Sequence, residues 1–325
     1  MHPAFSVVFL TTLIGAGQGL FLALFTVESY AAFGLLPAQS DSFYAIGSAM
    51  AVILLVLGLF ASFFHLGHPE RAWRAAAKWR TSWLSREVIV LPAFMGAVFF
   101  YGVAHWFGIN PVLAELPSGA PVNITAVLGT LGTVLAFALY ICTAMIYACL
   151  RFLREWHTPL TVINYILLGG ASGFTLAAAL AAAEAPEVMP VLAGWALIIT
   201  ALGLVGRIAT LIRNARLKPK STLQTAIGIK HPKIMQKTQG MMGGAFNTRE
   251  FFHGQSIALL RSLKWVFLLL AFVIPLGLLS MGLSLAAGGM LLLAFVVQYL
   301  GLLAERWFFF AQANHPQNLY YQSVA

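Results

Sequence analysis

The sequence predicts an all-α, polytopic membrane protein built as a bundle of eight transmembrane helices. Of its 325 residues, 60% are hydrophobic and 9% are charged, and the mean hydropathy is +0.85. A soluble domain carries about 25% charged residues, so the charges here are too few to cover a surface that faces water. The apolar runs are continuous and do not alternate, which excludes the strand pattern of a membrane β-barrel.

The helices are located by the runs that contain no Asp, Glu, Lys or Arg, because about 20 apolar residues cross the hydrocarbon core. The last run, Trp265–Ala304, holds 40 residues, enough for two helices joined near residues 282–289. The expected spans are roughly 5–27, 43–65, 88–108, 122–150, 159–183, 189–212, 264–281 and 287–309. They form one integral membrane domain, 1–325, and Pro275 predicts a kink in the seventh helix.

The charges fix the predicted orientation. All 19 basic residues fall on one side of the eight spans. The charged residues in the loops of the other side are all acidic, namely Glu28, Asp41, Glu115, Glu184 and Glu187. Basic residues concentrate on the cytoplasmic side of membrane proteins, so both termini and every basic loop are expected to face the cytoplasm. The net charge of +9 would suggest nucleic acid in a soluble protein, but this placement in the membrane explains it without a nucleic-acid partner.

The loop between helices six and seven, about residues 213–262, is the one sizeable polar segment. Loops of this length are usually functional or disordered. Its basic start, Arg213–Lys220, would suit lipid headgroups. A docking surface for a peripheral subunit is favoured, because the later part of the loop keeps apolar and aromatic residues that gain nothing from lying in water.

The densest polar segment runs from the end of helix two into helix three and contains His65 and Glu87. Glu87 has a structural explanation, in which Ser82 or Ser85 caps helix three and Glu87 lies in its first turn. The functional explanation is that His65 and Glu87 lie at one membrane depth, where ionisable residues are costly and often functional. A histidine and a carboxylate can supply the two protons that quinone reduction consumes.

Other candidates are weaker. Gln18 in helix one could contact a quinone ring, although a hydrogen bond to a neighbouring helix explains it as well. A cavity could be lined by Asn164 and Tyr165 in helix five with Tyr140 and Thr143 in helix four. The histidines do not pair near mid-membrane, so we expect no haem in this chain. The two cysteines lie in an apolar run, and neither they nor other residues predict a metal site.

The chain resembles the membrane anchor subunits of dimethyl sulfoxide reductases, the DmsC family, which are akin to NrfD-type subunits. The resemblance rests on three motifs and on eight spans in a chain of this length, and it covers essentially the whole chain. The motifs are Phe64-His65-Leu66-Gly67 with Arg71-Ala72-Trp73-Arg74, Arg80-Thr81-Ser82-Trp83-Leu84-Ser85-Arg86-Glu87, and Ala245-Phe246-Asn247-Thr248-Arg249-Glu250-Phe251.

The resemblance implies a multi-pass subunit of the bacterial inner membrane that holds no redox metal. Such a subunit anchors an iron–sulfur subunit and a molybdopterin catalytic subunit, and it exchanges electrons with a membrane quinone, either ubiquinone or menaquinone. The quinone-site histidine and glutamate of the family correspond to His65 and Glu87, and Arg86, Ser85 and Gln18 complete the expected quinone site. The expected docking residues are Arg71, Arg74, Arg80, Asn247, Arg249 and Glu250.

One departure from the family guides the choice of reaction. The catalytic subunits of dimethyl sulfoxide reductases lie outside the cytoplasm, whereas all basic loops here, with the motifs, are predicted to be cytoplasmic. The sequence is therefore closer to anchors of cytoplasm-facing sulfite dehydrogenases, in which electrons pass from sulfite to quinone. Alternatives are a dimethyl sulfoxide reductase-type anchor that oxidises quinol, an anchor without a quinone site, and a small-molecule transporter.

Overall fold

The computed structural model describes residues 1–115, 121–218, 221–235, 237 and 254–320. Eight of the helices in these ranges are long and apolar enough to cross a membrane, which confirms the predicted fold class. They are α1 (Phe5–Ala32), α2 (Asp41–Phe63), α3 (Trp83–Trp106), α4 (Ile124–Ala148), α5 (Pro159–Glu184), α6 (Met189–Ala215), α7 (Ile257–Ser284) and α8 (Gly288–Ala311).

Several helices extend beyond the charge-free runs, because a helix does not end where the hydrocarbon ends. Helix α3 begins at Trp83, where the Ser82 side chain accepts a hydrogen bond from the backbone N–H of Ser85. Of the two predicted caps, Ser82 is therefore confirmed. Glu87 is the fifth residue of α3, so the predicted place in the first turn is wrong and its carboxylate lies one turn deeper.

Helices α1 and α5 form the centre of the bundle and approach each other backbone to backbone. A Cβ atom added to Gly19 would lie 2.3 Å from the carbonyl oxygen of Gly169, and one added to Gly173 would lie 2.1 Å from the carbonyl carbon of Gly19. Small residues allow such close packing between membrane helices. Larger side chains at Gly19 and Gly173 would therefore force α1 and α5 apart.

The connections alternate between two sides of the bundle. We call the side that holds the α2–α3, α4–α5 and α6–α7 connections the basic side, and the opposite one the acidic side. On the basic side, the α2–α3 connection contains a 3₁₀ helix, Pro69–Lys78, in which no residue is buried. On the acidic side, strands β1 (Val112–Glu115) and β2 (Pro121–Asn123) pair antiparallel in the α3–α4 connection.

Helix α7 is irregular near its middle. Its residues Leu269–Val273 form a π-helical turn, and Pro275 follows within the next turn. Proline lacks the N–H that would complete the helical ladder, and π turns are a recognised cause of helix irregularity. The structure thus places a break in the regular hydrogen bonding of α7 next to the predicted kink.

Candidate quinone site

Glu87 faces a small polar cavity inside the basic half of the bundle. The Thr143 hydroxyl of α4 donates a hydrogen bond to its Oε1 atom. The cavity has a volume of about 20 Å³, which is room for about one water molecule. Helices α1, α3, α4, α5 and α8 all contribute to its walls, and the polar side chains among the lining residues are Thr11, Thr12, Gln18, Glu87, Tyr140, Thr143, Tyr165, Ser172 and Arg306.

Two of these groups are held by hydrogen bonds between helices. Gln18 Nε2 donates to the carbonyl oxygen of Ala136 on α4 at 2.8 Å, and the Tyr140 hydroxyl donates to the carbonyl oxygen of Gly15 on α1 at 2.9 Å. The interhelical bond expected for Gln18 is confirmed, and Gln18 also lines the cavity that contains Glu87. The polar wall is therefore fixed by the packing of α1 against α4.

The predicted cavity residues divide into two groups. Tyr140, Thr143 and Tyr165 line the cavity of Glu87, as the sequence suggested. Asn164 does not line it. Its Nδ2 atom donates instead to the Thr210 hydroxyl at 2.8 Å, so it ties α5 to α6.

A buried ionic cluster adjoins the cavity and was missed by the sequence reasoning. Arg207 of α6 contacts Glu305 of α8 at 2.8 Å, and Arg306 contacts the same carboxylate at 3.6 Å. The guanidinium of Arg306 lies 3.9 Å from the ring centre of Tyr165 and lines the cavity of Glu87. The predicted spans 189–212 and 287–309 already contained these charges, but the sequence did not show that α6 and α8 bring them into contact. The detectable signal was a Glu-Arg pair directly after an apolar run.

His65 lies just beyond α2, and the structure does not place it in the cavity of Glu87. Its Nδ1 atom is 3.2 Å from the Ser6 hydroxyl at the start of α1. Partial burial lowers the pKa of His65 below its ordinary value, so the neutral imidazole is favoured. The histidine is exposed at the mouth of the bundle, while the carboxylate lies inside it.

The neighbours of Glu87 in the motif have structural contacts. Arg86 donates through Nε to the carbonyl oxygen of Trp79 and through Nη2 to that of Arg80, both at 2.8 Å. Its guanidinium also lies 4.2 Å from the ring centre of Trp83. Ser85 is buried in the first turn of α3. Arg86 therefore holds the α2–α3 connection against the start of α3.

The predicted docking residues that can be described lie on an open surface. Arg71, Arg74 and Arg80 are all exposed. Trp73 and Trp79 beside them are exposed as well, and each lies 5.5 Å from the neighbouring arginine guanidinium. Asn247, Arg249 and Glu250 lie outside the described residues. In the described part of the chain, no three His, Cys, Asp or Glu residues are arranged to hold a metal ion.

The eight-helix bundle defines a polytopic membrane protein. The sequence profile of the DMSO reductase anchor subunit (DmsC) family matches residues 1–312, and the chain belongs to this family. It is also 59% identical to one of the subunits of the sulfite dehydrogenase of Allochromatium vinosum over 325 residues, which is 100% of both chains. The protein is thus a membrane anchor that belongs with an oxidoreductase.

Proposed function

We propose that this subunit passes electrons between an iron–sulfur partner and the membrane quinone pool, and that Glu87 exchanges protons with the quinone. The observation that carries the proposal is the buried cavity that brings Glu87 together with Thr143, Gln18 and Arg306. A buried ionisable residue inside a membrane protein is costly, and it commonly marks a proton or substrate pathway.

The size of the cavity determines how Glu87 would act. A volume of about 20 Å³ holds about one water molecule and not a quinone ring. Glu87 would therefore exchange its proton through a water molecule, while the ring binds nearer the surface. His65 is exposed there, and its lowered pKa favours the neutral imidazole. In that form one ring nitrogen can donate to a quinone carbonyl and the other can accept a proton from a quinol.

The exposed basic side fits the docking of the electron-carrying partners. It presents Arg71, Arg74 and Arg80 with two exposed tryptophans, and interfaces are enriched in arginine and aromatic residues. Because basic residues concentrate on the cytoplasmic side of membrane proteins, this side and both termini would lie on the cytoplasmic face of a bacterial inner membrane. The iron–sulfur subunit would dock there and carry electrons from a molybdopterin subunit.

Sulfite is the favoured substrate of the whole complex, because the similar protein from Allochromatium vinosum is a sulfite dehydrogenase subunit. Oxidation of sulfite to sulfate takes an oxygen atom from water and releases two electrons and two protons. Reduction of a quinone to a quinol consumes the same numbers, so the two half-reactions balance. In this assignment the anchor performs only the quinone half-reaction.

The test is to purify the complex with Glu87→Gln and to measure sulfite oxidation with two acceptors. A water-soluble acceptor takes electrons from the partner subunits directly, whereas a quinone must react at the anchor. We expect Glu87→Gln to keep the first activity and to lose quinone reduction by about 10²-fold or more, the range of a lost acid–base group. His65→Gln should likewise lower quinone reduction.

Glu70→Gln is the matched control, because Glu70 is an exposed carboxylate on the same side. It should leave both activities unchanged. Normal quinone reduction in Glu87→Gln would contradict the assignment of the site. A complex that reduces dimethyl sulfoxide with quinol, and does not oxidise sulfite, would support the alternative reaction of the family.

A further inference from the structure

A second polar cluster lies at the acidic side, where α1 and α3 end and α2 and α4 begin. Its carboxylates are Glu28 and Asp41, and the His105 ring lies between them. His105 Nδ1 is 2.7 Å from Asp41 Oδ1, and its Nε2 is 3.7 Å from Glu28 Oε1. The side chains of His105 and Glu28 are 3% and 17% exposed, whereas that of Asp41 is 60% exposed, so the cluster has a buried part that reaches the surface through Asp41.

The cluster is held rigidly from several helices. Glu28 accepts hydrogen bonds from the Tyr101 hydroxyl at 2.7 Å and from the Thr125 hydroxyl at 2.5 Å. The His105 ring stacks on Tyr44 with 4.5 Å between ring centres and meets the edge of Tyr101. These contacts set the orientation of the carboxylate and of the imidazole before any ligand arrives.

This arrangement leaves the Nε2 atom of His105 without a hydrogen-bond partner. In the tautomer that donates from Nδ1 to Asp41, Nε2 is an acceptor. Nε2 is buried and has no hydrogen-bond partner among the described residues. The nearest group, Glu28 Oε1, is also an acceptor and lies beyond hydrogen-bond distance. A donor placed between Nε2 and Glu28 would give Nε2 a partner and add a second hydrogen bond to Glu28 Oε1, which already accepts one from Thr125.

The cluster opens into a cavity of about 940 Å³, in the upper range of ligand pockets. One part of its wall is polar and carries Glu28, Asp41 and His105. The other part is apolar and is formed by side chains of α1 and α4 that are partly exposed on the bundle surface, namely Phe25, Val127, Leu131 and Val134. The cavity is therefore shaped for an amphiphile, with its head at the membrane face and its tail along α1 and α4.

The charge of the cavity indicates which polar head a bound amphiphile would carry. Its described lining residues include two carboxylates and no Lys or Arg. Residues 116–120, in the nearby α3–α4 connection, lie outside the described part and carry no ionisable side chain in the sequence. A primary ammonium group supplies both the positive charge and the N–H donors that Glu28, Asp41 and His105 Nε2 can accept.

We propose that this cavity binds the primary-ammonium head of a membrane phospholipid, with an acyl chain against the α1–α4 wall. The site is separate from that of Glu87. His105 and Glu87 are 18 residues apart on α3, which corresponds to about 27 Å along the helix. The fully buried Phe21 and Phe94 pack between them at 5.6 Å between ring centres. The inference therefore does not depend on the proposed quinone reaction.

The test is lipid binding by the purified, delipidated complex, followed by native mass spectrometry. The probes are phosphatidylethanolamine, phosphatidylcholine and phosphatidylglycerol with matched acyl chains. Choline keeps the positive charge of ethanolamine but has no N–H, and phosphatidylglycerol has an anionic head. We expect phosphatidylethanolamine to bind about tenfold more tightly than either of the other two lipids, since charged hydrogen bonds are lost in both.

Variants of the cavity residues test where the lipid binds. Glu28→Gln combined with Asp41→Asn should remove the preference for phosphatidylethanolamine, whereas Glu187→Gln, an exposed acid of the same side, should keep it. Thr130→Phe narrows the cavity beside its apolar wall and leaves the carboxylates in place. The Thr130→Phe variant should weaken phosphatidylethanolamine binding as well. If the double variant does not assemble, binding by Thr130→Phe decides the test. Quinone reduction should be unchanged in all of them.

Three results would overturn the proposal. Equal binding of the three lipids by the unaltered complex would exclude recognition of the ammonium head. An unchanged preference in both the double variant and Thr130→Phe would place the lipid elsewhere. Displacement of phosphatidylethanolamine by stoichiometric quinol would assign the cavity to a neutral donor head in place of the lipid.

Discussion

The buried cluster of Arg207, Glu305 and Arg306 leads to a prediction about stability. Glu305 is the one carboxylate that both arginines contact, at 2.8 and 3.6 Å, and it is 1% exposed. With an effective dielectric constant of about 20, these distances correspond to attractions of about 6 and 5 kcal/mol before desolvation and the repulsion between the arginines are subtracted. Breaking a buried pair by removing one partner costs about 3–5 kcal/mol overall.

Glu305→Gln should therefore destabilise the subunit by about 3–5 kcal/mol, because it leaves two buried guanidinium groups without this anion. Arg207→Met should cost less, since Glu305 keeps Arg306 as a partner. The double variant should lose less than the sum of the two single changes, because the altered residues are in contact.

The assay is thermal unfolding of the subunit in the purified complex. A loss of about 3 kcal/mol lowers the unfolding midpoint of a chain of this length by about 4 °C on the scale of globular domains. A midpoint for Glu305→Gln within about 1 °C of the unaltered complex would refute the reasoning. A larger loss for Arg207→Met than for Glu305→Gln would show that Glu305 is not the shared anion.

Two further predictions concern packing and pH. Gly173→Ala should destabilise the bundle by about 1–3 kcal/mol or more, because its Cβ would meet the α1 backbone. Gly194→Ala has open space and is the control, and equal melting of the two variants would contradict the close contact. Burial lowers the pKa of His65, so its contribution to stability is present above about pH 6.5 and is lost as the pH falls through the folded pKa. His65→Gln should therefore lose less stability than the unaltered complex on acidification, as melting between about pH 7 and 5 would reveal, and an equal or larger loss would contradict this.

The helices could be predicted from the sequence because crossing a membrane imposes a simple condition on length and polarity. The eight spans follow from that condition. A polar residue within an apolar run also predicted a hydrogen bond from Gln18 to a neighbouring helix, and the structure identifies that helix as α4. The helix ends could not be predicted in the same way. Glu87 was predicted in the first turn of helix three, whereas α3 begins after the cap Ser82 and carries Glu87 one turn further into the protein.

Contacts between distant helices were the second limit. The sequence predicted a pair of His65 and Glu87, and it indicated no role for the other histidines beyond an unlikely ligation of haem. In the structure, the histidine that contacts carboxylates is His105, which lies between Glu28 and Asp41. Those three residues come from α1, α2 and α3 and are spread over 78 positions of the chain, residues 28–105. A single sequence gives no measure of which helices are neighbours.

The central claim is that Glu87 changes its protonation state when quinone is reduced. Infrared difference spectroscopy of the purified complex, recorded between the oxidised and reduced states of bound quinone, measures this most directly. We predict a band of a carboxyl C=O group that appears or disappears with the redox change, that is lost in Glu87→Gln, and that remains in Glu70→Gln. An identical carboxyl band in Glu87→Gln, or no such band in the unaltered complex, would contradict the claim.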